Sequence, residues 1–193
     1  MPQFFRVTDN LSLPGRWHLK SPLLPSGKEL DPRAFTQGQA VDVPLPLRLP
    51  LRKAGRPLDF TLADFGMPVA VSALATRLDE LAPGALQRIP IIVEGHSASY
   101  EVLNLLRTIQ CLDEQATKIE WWQPIDGRPD KVGQYKTVID EVIDASKVAA
   151  EQIFRLAGWR TIMICTERVR LGASMSEFAG LEYHPVGVSD GAT

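Results

Sequence analysis

Three observations predict an α+β fold for this 193-residue chain: a mostly antiparallel sheet with a few short helices and a proline-rich extended N-terminal arm packed on it. Short runs rich in β-branched and aromatic residues, separated by polar turns, recur from about residue 88 onward. Ten of the fifteen prolines lie before residue 70, which denies that region long helices and central strands, because proline lacks an amide proton and restricts its predecessor. Strands outnumber helices and few strand–helix–strand crossovers occur, which argues against a doubly wound parallel sheet.

The opening is too apolar to be a linker, since Phe4, Phe5, Trp17 and Phe35 need burial. In "PLPLRLPLRKAGRP", residues 44–57, Leu45, Leu47, Leu49 and Leu51 alternate with Pro46, Arg48, Pro50 and Arg52. That period of two fits an edge strand or a polyproline-like arm. Trp17 is expected to plug the arm onto the core. The chain thus divides into an arm over 1–57 and an α+β core domain over 58–193, together one folding unit.

Ser72 is placed to cap a helix running to about Leu81, with Leu74, Leu78 and Leu81 on one face and Pro83-Gly84 stopping it. "RIPIIVEG" reads as a strand closed by Gly95, "SYEVLNLLRTIQCLD" as another, and "TKIEWW" as a continuation of the sheet. After the Asp126-Gly127 turn come "QYKTVIDEVI", "EQIFRL" and "TIMICT". Alternation in "EQIFRL" puts Ile153 and Arg155 on one face, Phe154 and Leu156 on the other. Arg155 is then an edge-facing cation or the buried partner of a carboxylate. A last helix starts near Thr166, presents Leu171, Met175 and Phe178 on one face, and ends at Gly180. "LEYHPV" is the final strand and "GVSDGAT" a loose tail.

The hydrophobic fraction of 45 % and the charged fraction of 23 % are those of an ordinary soluble protein. A net charge of -2 argues against general affinity for nucleic acid or anionic membrane. "MPQFFRVTDN" lacks the character of a signal peptide, and no apolar run approaches a membrane span. Cys111 and Cys165, both in apolar runs, read as buried thiols in a reducing cytosol. The location expected is cytoplasmic. Charge is unevenly spread: residues 1–60 carry nine Lys/Arg against five Asp/Glu, and residues 112–146 four against eight. Arg16 is therefore expected to pair with the acidic segment and hold the arm to the body.

Catalytic chemistry has one candidate. Gly95-His96-Ser97-Ala98-Ser99 follows a strand and approaches a nucleophile elbow, with Ser99 where a second glycine belongs. An acid and then His184 follow in the order such enzymes use. Strand-like "YEVLNLL" after Ser99, where a helix is needed, argues for a polar hairpin turn instead. His96 reads as a surface histidine. His18, His96 and His184 are far apart and neither cysteine has a near partner, so no metal site and no cofactor is expected. "SGKEL" at 26–30 is a turn and not a phosphate loop. Asp140-Glu141 and Asp113-Glu114 are adjacent pairs, which on a strand point to opposite faces.

The blocks "FRVTDNLSLPGRWHL", "LDPRAFTQGQAVDVPLPLRLPL", "GRPLDFTLADFGMPVA", "YEVLNLL…CLDEQAT", "QIFRLAGW" and "FAGLEYHPV" occur in this order. In order and spacing they resemble the myxobacterial-type immunity-protein family of bacterial polymorphic toxin systems. The likeness runs from about Phe5 to Val186. It implies a non-enzymatic protein that binds and neutralises a cognate toxin, encoded by a neighbouring gene. The alternative is a small hydrolase using Ser97 and His184.

Binding of that kind needs aromatic anchors and a charged rim. "EWWQPIDGRPDKVGQY" offers Trp121 and Trp122 flanked by Glu120, Asp126, Arg128 and Asp130. On a strand the two indoles point to opposite faces. One is then core and the other exposed or half-covered; on the competing reading Trp122 packs under the arm and nothing binds there. An acidic face would suit a basic toxin.

Overall fold

Alternating apolar residues along the strands bury both faces of two separate sheets. The computed structural model describes residues 2–191. In chain order its first strands are β1 (Phe4–Asp9), β2 (His18–Leu19), β3 (Leu47–Leu49), β4 (Leu51–Lys53), β5 (Phe60–Leu62) and β6 (Pro68–Val71). Helix α1 (Ser72–Leu81) leads into β7 (Leu86–Val93), β8 (Tyr100–Leu105) and β9 (Thr108–Ile109). Then follow β10 (Lys118–Trp121), β11 (Tyr135–Ile139), β12 (Val142–Asp144), β13 (Ile153–Leu156) and β14 (Trp159–Thr166). Helix α2 (Glu167–Gly172), β15 (Leu181–Pro185) and β16 (Gly187–Ser189) close the chain.

One five-stranded sheet has the order β15-β1-β14-β13-β9 and the other β3-β7-β8-β6-β5. Within these two sheets pairing is antiparallel except β13 with β9 and β3 with β7, which are parallel. The fold is thus α+β with mostly antiparallel pairing, but in two stacked five-stranded sheets and not one, with β10-β11, β12-β16 and β2-β4 as separate pairs.

Side-chain parity sets the layers. Phe5, Val7, Ile153, Met163 and Leu181 of the first sheet meet Phe60, Ala70, Leu103 and Leu105 of the second, together with Leu74 and Leu78 of α1. The opposite face of the second sheet packs Leu49, Ile89, Ile91 and Val102 against Trp17, Leu19 and Phe35. The opposite face of the first packs Phe4, Phe154 and Ile164 against Cys111, Val138 and Ile143. Trp17 is fully buried, as its core role demands. Cys111 and Cys165 are both buried free thiols.

Several elements depart from expectation. The segment 1–57 is not laid over a finished body as one arm. Residues 10–46 do run over the second sheet, but β1 sits between β14 and β15, and β3 joins β7. Burial of Phe4 and Phe5 on opposite faces of a sheet drives that insertion. "SYEVLNLLRTIQCLD" breaks into β8 and β9, which belong to different sheets. "TKIEWW" does not continue either sheet, and β10 pairs only with β11 in a separate ribbon. "QYKTVIDEVI" breaks at Asp140, which adopts a positive φ of 53°.

Ser72 is the first helical residue of α1, with Val71 at the cap position and no side-chain cap. The last helix stops at Gly172, where a Cβ would lie 2.6 Å from Leu81 of α1. Glycine there allows the two helices to touch. Of the three residues expected on its inner face, Leu171 within it and Met175 beyond it are exposed, and only Phe178 packs against the core. Gly180, at φ +93°, passes so close to the Phe60 carbonyl that a Cβ would sit 2.3 Å from it. The supposed tail is ordered through Ser189: β16 pairs in parallel with β12, and the Ser189 hydroxyl donates to Asp113 at 2.7 Å. Residues 192–193 of that tail lie outside the described residues.

Two arginines find other partners than the sequence suggests. Arg16 does not reach the acidic segment. Its guanidinium pairs with Asp9 and donates to the Thr61 hydroxyl, all buried. Arg155 lies between the sheets on the Ile153 face as alternation required, fully buried. It has no carboxylate partner among the described residues: Nη1 donates to the Arg160 carbonyl at 2.6 Å, while Nε and Nη2 have none.

Candidate functional site

The ribbon of β10 and β11 stands on the outer face of the first sheet, where Ile119 and Val138 anchor it in the core. Lys118 pairs opposite Ile139 and Trp121 opposite Tyr135. Trp122 extends the pairing, its amide donating to Gln134 and its carbonyl accepting from Gly133. Between them residues 123–134 form two short 3-10 turns.

Neither tryptophan is core. Trp121 is 36 % exposed and meets the Tyr135 ring edge-on at 4.9 Å. Trp122 is half-buried, and among the described residues its ring is held by two ammonium groups rather than by the N-terminal segment. Lys131 Nζ lies 5.1 Å and Lys136 Nζ 5.3 Å from the ring centroid, the geometry of cation–π attraction. The indoles do take opposite sides of the ribbon in alternation, but both sides lie outside the core.

The flanking charges are tied inward. Asp126 accepts from Lys136 Nζ at 2.5 Å and from the Gln123 amide at 2.8 Å; these bonds hold its carboxyl below the usual range. Gln123 and Asp126 form a reciprocal capping box around Pro124–Asp126, closed by Gly127 at φ 69°. Arg128 and Asp130 form a two-point pair at 3.0 and 2.8 Å, which lowers the Asp130 carboxyl and raises the Arg128 guanidinium. Glu120 accepts from the Thr137 hydroxyl at 3.1 Å and Lys118 pairs with Asp140 at 2.7 Å.

Residues 118–140 carry four basic and four acidic groups, so the ribbon is neutral. The acidic surplus of 112–146 resides in Asp113, Glu114, Glu141 and Asp144, at the ribbon's foot. Glu141 is taken up by Arg6 and Asp144 by Lys147.

Beside these charged groups, three large aliphatic side chains of the ribbon are exposed. Ile125, between the prolyl turn and Asp126, is 94 % exposed, Val132 44 % and Ile139 49 %. Sequence reasoning passed over Ile125; its only signal was an isolated large aliphatic residue inside a turn, with no periodic partner. Beside Trp121 and Tyr135 lies an open cleft of about 660 Å³, also lined by Gln110, Glu114, Gln134 and Arg160. Burial and then the Glu114 contact push the Tyr135 hydroxyl pKa up, and that hydroxyl donates to Glu114 at 2.6 Å.

The hydrolase constellation is not assembled. Ser97 sits in the β7–β8 turn and lines a cleft with His96 and Glu101. His184, on β15, bonds Thr8 and faces Glu182 in a different cleft. Ser97 and His184 share no hydrogen bond and no cleft. His96 is not a plain surface histidine, since its ring packs edge-on against the buried Trp17 at 4.8 Å. No cluster of potential metal ligands occurs among the described residues.

The immunity protein family Imm11 matches residues 1–188. The chain belongs to the Imm11 immunity protein family. That span takes in both sheets, the ribbon and β16 up to Val188. No curated protein matches the chain. No helix among the described residues is long and apolar enough to cross a membrane.

Proposed function

We propose that this Imm11 member is a cytoplasmic, non-enzymatic immunity protein that binds and neutralises a cognate bacterial toxin encoded by a neighbouring gene. The observation that carries this reading is the family match over residues 1–188. The toxin-binding face is the ribbon, with Trp121 and Trp122 as aromatic groups and Glu120, Asp126, Arg128 and Asp130 around them. An exposed aromatic on a well-braced element supports this, because rigid aromatic anchors lose little entropy on binding.

Co-expression with each protein encoded beside the gene, scoring co-purification and rescue of growth, tests the reading. A neighbour that kills cells only when this chain is absent, and co-purifies with it, is the expected result. Rescue should survive Ser97→Ala and His184→Ala. Absence of any toxic or binding neighbour would overturn it.

A further inference from the structure

We infer that the toxin presents an extended peptide segment to the cleft beside Trp121 and Tyr135, where it is held through its main chain at the edge of the first sheet. This rests on the immunity reading above and specifies the partner's chemistry. Strand β9 ends the order of that sheet, so no strand pairs with its outer side. Gly38 packs so tightly on Thr108 of β9 that a Cβ would lie 2.3 Å from its Oγ1. Gln110 follows directly after the strand and is exposed. Among the described residues neither its backbone nor its side chain makes a hydrogen bond. Unpaired main-chain groups at a sheet edge are a template for an added extended segment.

The groups that meet in this cleft suit a peptide main chain. Its volume of about 660 Å³ lies within the range of ligand sites, roughly 300–1,000 Å³. The Gln110 side-chain amide supplies a donor and an acceptor, as a peptide group does. Glu114 accepts from the Tyr135 hydroxyl on Oε1, which leaves Oε2 for a peptide N–H. Arg160 donates Nη1 to the Gln37 amide oxygen, forms no ion pair among the described residues, and keeps Nε and Nη2 for a peptide carbonyl. Trp121, braced edge-on by Tyr135, is the apolar wall for one side chain of the segment. An extended segment satisfies these groups together, because its N–H and C=O groups are free along its edges. A helix cannot, since its main-chain groups are bonded internally.

The test uses the neighbour-encoded protein that co-purifies with the wild-type chain. By NMR-detected hydrogen exchange, the Gln110 amide should exchange freely in the free chain and slow by about tenfold or more in the complex. One continuous stretch of the neighbour should be protected with it. Gln110→Ala with Arg160→Ala should weaken binding by about tenfold or more, with thermal unfolding showing that the variant is folded. Lys53→Ala, on β4 and outside the cleft, should leave affinity within about threefold. If the double variant does not fold, exchange in the wild-type complex decides alone. A Gln110 amide that stays fast in the complex, or full affinity in the folded double variant, overturns the inference while leaving immunity standing. Slowing of that amide in the free chain as its concentration rises gives the edge to a second copy, and the inference falls. If no neighbour binds the wild-type chain, the immunity reading and this inference fall together.

Discussion

Trp121 and Tyr135 occupy opposed positions on the ribbon and meet edge to face with ring centroids 4.9 Å apart. Tyr135 is wedged against Gly158, where a Cβ would lie 2.6 Å from its ring, so it supports Trp121 from below. Trp121→Ala removes that aromatic contact, worth about 0.5–1.5 kcal/mol beyond area burial, together with the burial of an indole that is only 36 % exposed. The protein should stay folded with a lowered thermal midpoint while rescue of growth is lost. A folded Trp121→Ala protein that still rescues fully would remove Trp121 from the binding face.

The Asp9–Arg16 pair is closed off from solvent, with side chains 7 % and 5 % exposed. It ties β1 to β5 through Thr61 and the Leu62 amide. Breaking it leaves a lone buried charge, which costs about 3–5 kcal/mol. Urea unfolding of Asp9→Ala and Arg16→Ala should each show a loss of that size. A change below about 1 kcal/mol would mean that water reaches the site.

Arg155 gives the opposite expectation. Burial alone pushes its pKa down to about 10, a measure of how poorly the charge is compensated. One charged hydrogen bond is worth about 1.5–3 kcal/mol, against a desolvation cost of several kcal/mol per buried ion. Arg155→Met should therefore be neutral or stabilising by up to about 2 kcal/mol in urea unfolding. A marked loss would reveal a partner for Nε and Nη2.

Glu101 carries the clearest pH dependence. Burial pushes its carboxyl up, but hydrogen bonds from Arg88 and Ser72 and the Arg88 charge outweigh that and leave it below its ordinary 4.5. Arg88 holds it at two points, 2.7 and 2.8 Å. A carboxylate with a depressed folded-state pKa stabilises fully above its unfolded value and loses the contribution as pH falls through the folded one. Glu101→Gln should cost about 1–3 kcal/mol at pH 7. The difference from wild type should shrink steadily below about pH 4.5. A constant difference down to pH 2 would contradict this.

Cys111 and Cys165 lie on opposite faces of the first sheet. Burial raises both thiols, Cys111 to about 12, so little thiolate forms near neutrality. An aromatic disulfide reagent at pH 8 should react with neither in the native protein and with both in denaturant. Rapid labelling of the native chain would show that one of them opens to solvent.

Much of this was readable from the order of residues alone. The helix over Ser72–Leu81, the strands at 153–156 and 181–185, and the burial of Trp17, Cys111 and Cys165 follow from periodicity and composition, which act over a few residues. Arg155 was assigned the right face by alternation, since parity is a local property. Its lack of a carboxylate was not legible, because partners are chosen by what the other sheet brings near. Charge counting directed Arg16 to 112–146, whereas folding paired it with Asp9, seven positions away, where Thr61 of the other sheet completes the site.

Local pattern thus determined an α+β chain of short strands, an uneven charge, and an aromatic turn worth testing. The blocks spread along its length carried the immunity-family resemblance. Tertiary structure alone decided that most strands gather into two five-stranded sheets, with β1 from the N-terminus inside the C-terminal one. It also decided that the ribbon is neutral and not acidic, and that its free tip is Ile125. The physical reason is common to these. Strand pairing and ion pairing join residues far apart in sequence, as Arg6 joins Glu141, and nothing in the local pattern records which distant group arrives.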